Sequence, residues 1–154
     1  MKKSAIINFL FILIAVQSYA QFNISGQILN RSEYRHGFGT LVDSGVEAGF
    51  SIGQRSRLNA TYQADKVKFG AAIQDIRTWG NTSQIKITDG FLSLHEAWMD
   101  IQFHPKFSAK IGRQELDYDD ARFLGNLDWA LQARAHDIAL LKYSDSANQL
   151  QIHG

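Results

Sequence analysis

Arg55 and Arg57 stand one residue apart in the run SIGQRSRLNATYQAD, Ser51 to Asp65, among apolar residues of the opposite parity. Arg31, Glu33 and Arg35 show the same alternate spacing upstream, and Glu96 and Asp100 share one parity downstream. In a strand, successive side chains point to opposite faces, so residues two or four apart look the same way. Guanidinium and carboxylate groups collected on one face make a wall of fixed charge. Such walls select ions and charged solutes, or pair internally and fill a narrow lumen. The spacing leaves both uses open.

Other candidate chemistry is weaker. His36, His95, His104, His136 and His153 are scattered, and HEAWM lacks the second histidine of a zinc helix. They read as polar strand or loop residues. The acidic run Asp117 to Asp120 has oxygen ligands but not the spacing of a calcium loop. HGFGT has glycines but no phosphate-binding lysine. No nucleophile, base and orienting group stand out together. The expectation is a protein without catalytic residues, metal or cofactor, and not an enzyme. A formal charge of +1 gives no field that would draw nucleic acid.

The elements that hold the charged residues follow from alternation. Phe22, Ile24, Ile28 and Tyr34 share one parity in a strand from Phe22 to Arg35, with Arg31, Glu33 and Arg35 on the other. A second strand covers about 48–64, with Phe50, Ile52, Leu58 and Tyr62 opposite the arginines; Gln54 and Ser56 are exceptions. The third runs from Val67 to Trp79, and its parity breaks near Gln74 to Ile76, predicting a bulge or a change of surroundings. The fourth, Ser93 to Phe103, places Leu94, Glu96, Trp98, Asp100 and Gln102 on one face. A fifth spans Phe107 to Leu116, a sixth about 133–143, and a seventh begins near Gln149. Short connections (Asp65-Lys66, His104 to Lys106, Ser144 to Asn148) alternate with long ones (36–47, 80–92, 117–132). This is the rhythm of an up-and-down antiparallel sheet with one plain and one elaborate end.

Lys2 and Lys3, the apolar run Ala5 to Val16 and the small residues of SYA make residues 1–20 a signal peptide cleaved after Ala20. There is no cysteine, hence no lipid-modified cysteine and no disulfide. An exported chain without a spanning helix enters a membrane only as a barrel. Strands of ten residues or more, the loop alternation, and faces rich in Arg, Glu, Asp and Gln favour an all-β, up-and-down transmembrane β-barrel. Arg55 and Arg57 then face the water of the lumen while Ile52 and Leu58 face lipid. The long first loop lies outside the cell, and the barrel-assembly machinery is an expected partner beside outer-membrane lipid. The alternative is a secreted soluble β-sandwich that binds carbohydrate through Trp79, Trp98 and Trp129. Six or seven strands are fewer than a single-chain barrel uses. Residues 21–154 are therefore expected to be the amino-terminal part of a longer barrel, or one share of a barrel closed by several chains.

The stretch GRQELDYDDARFLGNLDWALQARAHD, Gly112 to Asp137, resembles the alginate export family of outer-membrane barrels. It carries Gly112-Arg113-Gln114 at a strand end, Asp120 with Arg122 in the loop, and Trp129 before the returning strand. LHEAWMDIQF and ISGQILNRSEYR are similar to the family's preceding strand and first strand. The resemblance implies a monomeric barrel of many strands, in the outer membrane. It also implies an arginine-rich constriction for anionic polysaccharide or other charged solutes. By motif it assigns pore-lining places to Arg113 and Arg122. Arg55, Arg57 and Arg134 follow by parity or proximity, and Arg31, Arg35, Glu96 and Asp100 complete the expected charged lining. Arg113 shares the parity of apolar Phe107, Ala109 and Ile111. It is thus either turned inward by a bulge at Gly112 or placed at the outer rim.

Overall fold

The computed structural model describes residues 21–37, 39, 41–85 and 92–154. The expected signal peptide, residues 1–20, lies outside the described residues. Seven strands form one sheet in chain order: β1 (Gln21–Arg35), β2 (Gly49–Ala64), β3 (Val67–Thr78), β4 (Leu92–His104), β5 (Phe107–Gln114), β6 (His136–Ser144) and β7 (Gln149–His153). Every neighbouring pair is antiparallel, and β1 and β7 are the open edges. This is an all-β, up-and-down architecture whose sheet does not close, the form of a partial barrel. Among the described residues no helix is long and apolar enough to cross a membrane, which says nothing of strands.

Alternation sets the two faces of the sheet. Phe22, Tyr62 and Phe69 lie in one register row, and Ile28, Phe50 and Leu58 share their face; all are exposed, Phe50 by 65%. On the opposite face Arg55 has 0% exposure and Gln74 has 4%. The molecule is thus inverted relative to a soluble domain, where large apolar groups go in and charges go out. A sandwich would cover the apolar face with a second sheet; the described residues form one sheet. Of the buried apolar residues, Ala72 and Leu140 stand on the polar face of β3 and β6, and Leu116 and Ala130 in the segment that joins β5 to β6.

Two departures from strict alternation have physical causes. The β3–β4 register shifts so that Ala72 faces Glu96 while Ile73 faces Leu94, leaving His95 as an extra residue in β4. This bulge returns Leu94 to the exposed apolar face, a correction to its expected place beside Glu96, and turns His95 inward at 4% exposure. In β3 the pairing with β2 continues regularly through Gln74 and Ile76. The parity break there is therefore a change of surroundings and not a bulge in β3. Asp75 and Arg77 pair with each other on the otherwise apolar face. Arg113 and Asp137 do the same across β5 and β6 at 3.0 Å. Both pairs lie toward the long-loop ends of their strands and mark the loop-side limit of the apolar band. The exceptions Gln54 and Ser56 satisfy one another, Gln54 Nε2 donating to Ser56 Oγ at 3.0 Å. The Trp79 indole N–H in turn donates to Gln54 Oε1 at 3.0 Å.

Candidate functional site: an arginine–carboxylate wall with an infolded segment

β5 ends at Gln114, and residues 115–135 leave the sheet edge and fold back over the polar face. A single 3-10 turn at Asp119–Ala121 is the only helical element in this segment. Arg55 of β2 holds the fold-back in place. Its guanidinium donates to the carbonyls of Ala130 and Leu131, both at 3.3 Å, and to Asp128 Oδ1 at 2.7 Å. Gln74 of β3 donates to the Gln132 carbonyl at 3.0 Å, and Arg31 of β1 to the Trp129 carbonyl at 3.3 Å. Gly53 makes the contact sterically possible. A Cβ there would lie 2.3 Å from Leu131 Cδ1, so Leu131 packs directly on the β2 backbone.

Glu115 is the hub of the network. Arg57 Nη1 donates to its Oε1 at 3.0 Å, His95 Nε2 lies 2.6 Å from the same oxygen, and Asn126 Nδ2 donates to Oε2 at 2.9 Å. The Glu115 amide donates to Glu96 Oε1 at 2.9 Å. Arg57 also donates twice to Gln74 Oε1, at 3.0 and 2.8 Å. A carboxylate reached by three donors, beside buried guanidinium groups, is a satisfied charge cluster. Its members meet each other and the peptide of the infolded segment.

The expected residues divide by place. Arg31, Arg55, Arg57 and Glu96 come together under or beside the infolded segment. Arg55 does not face the water of a lumen, as parity had suggested: it is fully covered by the chain that follows β5. Arg35 lies near the loop end of β1, paired with Glu33 at 2.7 Å, and Glu33 also meets Arg31 at 2.8 Å. Asp100 belongs to the other half of the polar face, where Lys142 Nζ is 2.5 Å away. Arg113 is not turned to the polar face. Gly112 takes φ +125°, yet the register passes through it unbroken, so Arg113 keeps the face of Ile111. Arg122 and Arg134 are exposed in the connecting segment.

Glu115 and His95 are functional-site residues that alternation misses. Simple parity assigns Glu115 to the apolar face of β5, but the strand has ended one residue earlier. His95 reaches the wall only through the bulge. The one available signal was GRQEL, where a glutamate follows a glutamine next to a long polar connection. Among the described residues no group of three or more His, Asp or Glu is arranged to hold a metal ion. In the infolded segment, burial raises the Tyr118 phenol above its ordinary value, and its hydroxyl donates to Gln151 Oε1 at 2.7 Å.

An up-and-down antiparallel wall, apolar where exposed and charged where covered, has the form of an outer-membrane β-barrel. The family model of alginate export matches residues 20–152. The chain belongs to the alginate export family, whose members are outer-membrane channel proteins. No curated protein and no solved structure matches the chain.

Proposed function

We propose that this protein is an outer-membrane channel for anionic saccharides or other charged solutes, with the polar face as its aqueous wall and the infolded segment 115–135 as its narrowing. The carrying observation is the inversion of faces: Phe50 and Leu58 are exposed at 65% and 48%, while Arg55 is at 0%. A contiguous apolar face of this extent needs a cover, and lipid supplies it. A lipid-facing arginine at the bilayer midplane costs ~2–4 kcal/mol, and the sheet avoids that cost by turning its midstrand arginines away. Arginine also suits carboxylates, which its planar fork meets at two points. In this reading the chain is exported by cleavage after Ala20, inserted by the barrel-assembly machinery, and surrounded by outer-membrane lipid. Passage through it involves no catalytic step.

Two measurements test this. Fractionation places the full-length protein in the outer membrane with Gln21 as first residue, and planar-bilayer recording gives a channel whose reversal potential in a salt gradient favours anions. Recovery from the periplasm without detergent, or a channel indifferent to the sign of the ion, refutes the reading.

A further inference from the structure

We propose that His95 is a proton-operated catch on the infolded segment: as an imidazolium it clamps Glu115 and holds residues 115–135 against the polar wall, and as a neutral imidazole it slackens that hold. The effect on conductance rests on the channel reading; the hold on the segment does not.

A bulge is what places this side chain. Pairing Ala72 with Glu96 and Ile73 with Leu94 leaves His95 without a partner of its own on β3 and brings it to the face that carries Glu96. There His95 is buried, and its Nε2 lies 2.6 Å from Glu115 Oε1. A carboxylate only accepts, so Nε2 carries a hydrogen in either charge state and the variable proton is the one on Nδ1. A neutral donor is enough to satisfy that oxygen, and neutral donors stand nearby. Asn126 Nδ2 holds the other Glu115 oxygen at 2.9 Å, and Gln74 Nε2 holds the Gln132 carbonyl at 3.0 Å. What an imidazole adds is a charge that changes between about pH 5 and 8.

The charges around His95 set the sign. Glu115 faces it from the infolded segment, and Glu96 stands beside it on β4, its Oε1 accepting the Glu115 amide at 2.9 Å. Arg57 of β2 is the opposing cation, donating to the same Glu115 oxygen at 3.0 Å. Farther off, Arg55 and Asp128 form their own pair, and Lys110 of β5 is attracted by Glu96. Gln74 of β3 and Gln114 of β5 carry no charge, and His136 of β6 lies opposite Gln114. A proton added to His95 thus meets two carboxylates and one guanidinium. It converts a hydrogen bond with one charged partner into an ion pair, which is the stronger contact.

The segment on the other side of this contact has somewhere to go. Residues 115–135 belong to no strand, and side-chain bonds from the wall secure them. Asp119, Asp120, Leu127 and Ala133 take φ of 52°, 57°, 51° and 52°. Such backbone persists only where contacts impose it, so slackening Glu115 favours release.

The test places one nitroxide at Arg122→Cys in full-length protein in phosphatidylcholine vesicles; the sequence has no cysteine of its own. Spectra resolve an immobile and a mobile component. From about pH 5.5 to about pH 8.5 their ratio is expected to fall about fivefold. A nitroxide at Ala147→Cys, in the β6–β7 turn, should not respond. His95→Gln keeps a donor to Glu115 but cannot take the charge, and should hold the ratio at its alkaline value throughout. Glu115→Gln should leave the segment loose at every pH, and His136→Gln should keep the full response. Heat-modifiable gel migration checks that each variant is a folded barrel. A wild-type ratio indifferent to pH, a response that survives in His95→Gln, or one lost in His136→Gln alone overturns the catch. In bilayers, conductance should be lower at the acid end, and the difference should vanish in His95→Gln. An anion-selective channel with a pH-indifferent nitroxide removes the catch and keeps the channel; a responding nitroxide without conductance removes the channel and keeps the catch.

Discussion

The two halves of the polar wall use different cations. Near the long connections, Arg31, Arg55 and Arg57 grip a peptide segment and a glutamate, and Arg55 is wholly covered. Near the short turns, Lys68 and Lys110 stand beside the Trp98 indole, Lys110 also attracted by Glu96 and Asp100, and Lys142 holds Asp100. The described lysines (Lys66, Lys68, Lys106, Lys110 and Lys142) all lie on the turn side. Arginine has a rigid fork that loses little freedom per hydrogen bond; lysine is a hydrated point charge on a mobile stem. The first suits a fixed anchor and the second a looser contact. The comparison teaches that charge on one wall is not one function. In the channel proposed above, the arginines would hold the protein's own chain and the lysines would be left to meet a solute.

The comparison breaks most directly at Arg55. Arg55→Ala leaves the Ala130 and Leu131 carbonyls and Asp128 without their donor, and is expected to cost ~3 kcal/mol, below the full penalty of a buried pair because Asp128 is half exposed. Urea unfolding from lipid vesicles measures this, and protease should now cut within 115–135; a segment still protected would mean that the arginines do not hold it. Glu115→Gln removes the charge on which Arg57 and His95 converge, with an expected loss of ~2 kcal/mol in the same unfolding assay and a wider conductance in bilayers. On the turn side, Gly70→Ala pushes the indole off its seat at ~1–2 kcal/mol, read as a red shift of Trp98 emission with the infolded segment unchanged.

The smallest effect is expected in the β6–β7 turn. Asp145 accepts the Tyr143 hydroxyl and the amides of Ala147 and Asn148, which hold its carboxyl below the ordinary value, the hydroxyl contributing most. A depressed carboxylate pKa adds stability that is present above the unfolded value of ~3.9 and lost as pH falls through the folded one. Asp145→Asn should flatten that acid limb of the stability profile and leave the profile above it unchanged, measured by unfolding midpoints across the acid range.

The strands were legible because lipid and water impose a two-residue period on every one of them. Asp65-Lys66 marked the first short turn, where Asp65 takes φ +44°. Parity placed Arg31, Arg55 and Arg57 on the same side as observed. What parity cannot carry is anything that leaves the sheet or adds a residue to it. The His95 bulge reverses Leu94, and the end of β5 at Gln114 releases Glu115 from alternation. The infolded segment has no period at all. It is shaped by contacts to Arg55 and Gln74, and by backbone in the left-handed region at Leu127 and Ala133, with φ of 51° and 52°. Residues of these types adopt such angles only where their surroundings hold them there. The seat of the Trp98 indole was hidden for a related reason. Its signal is the absence of a side chain at Gly70 on the neighbouring strand, which only the register brings alongside.

The anchoring of 128–131 by Arg31 and Arg55 spans more than seventy residues of chain. The arginines sit on the first two strands, and the carbonyls they hold come only after the fifth. The bare strip at Gly53 is thus a berth laid by one end of the chain and filled by the other. A cut anywhere between them would leave both pieces of this wall incomplete.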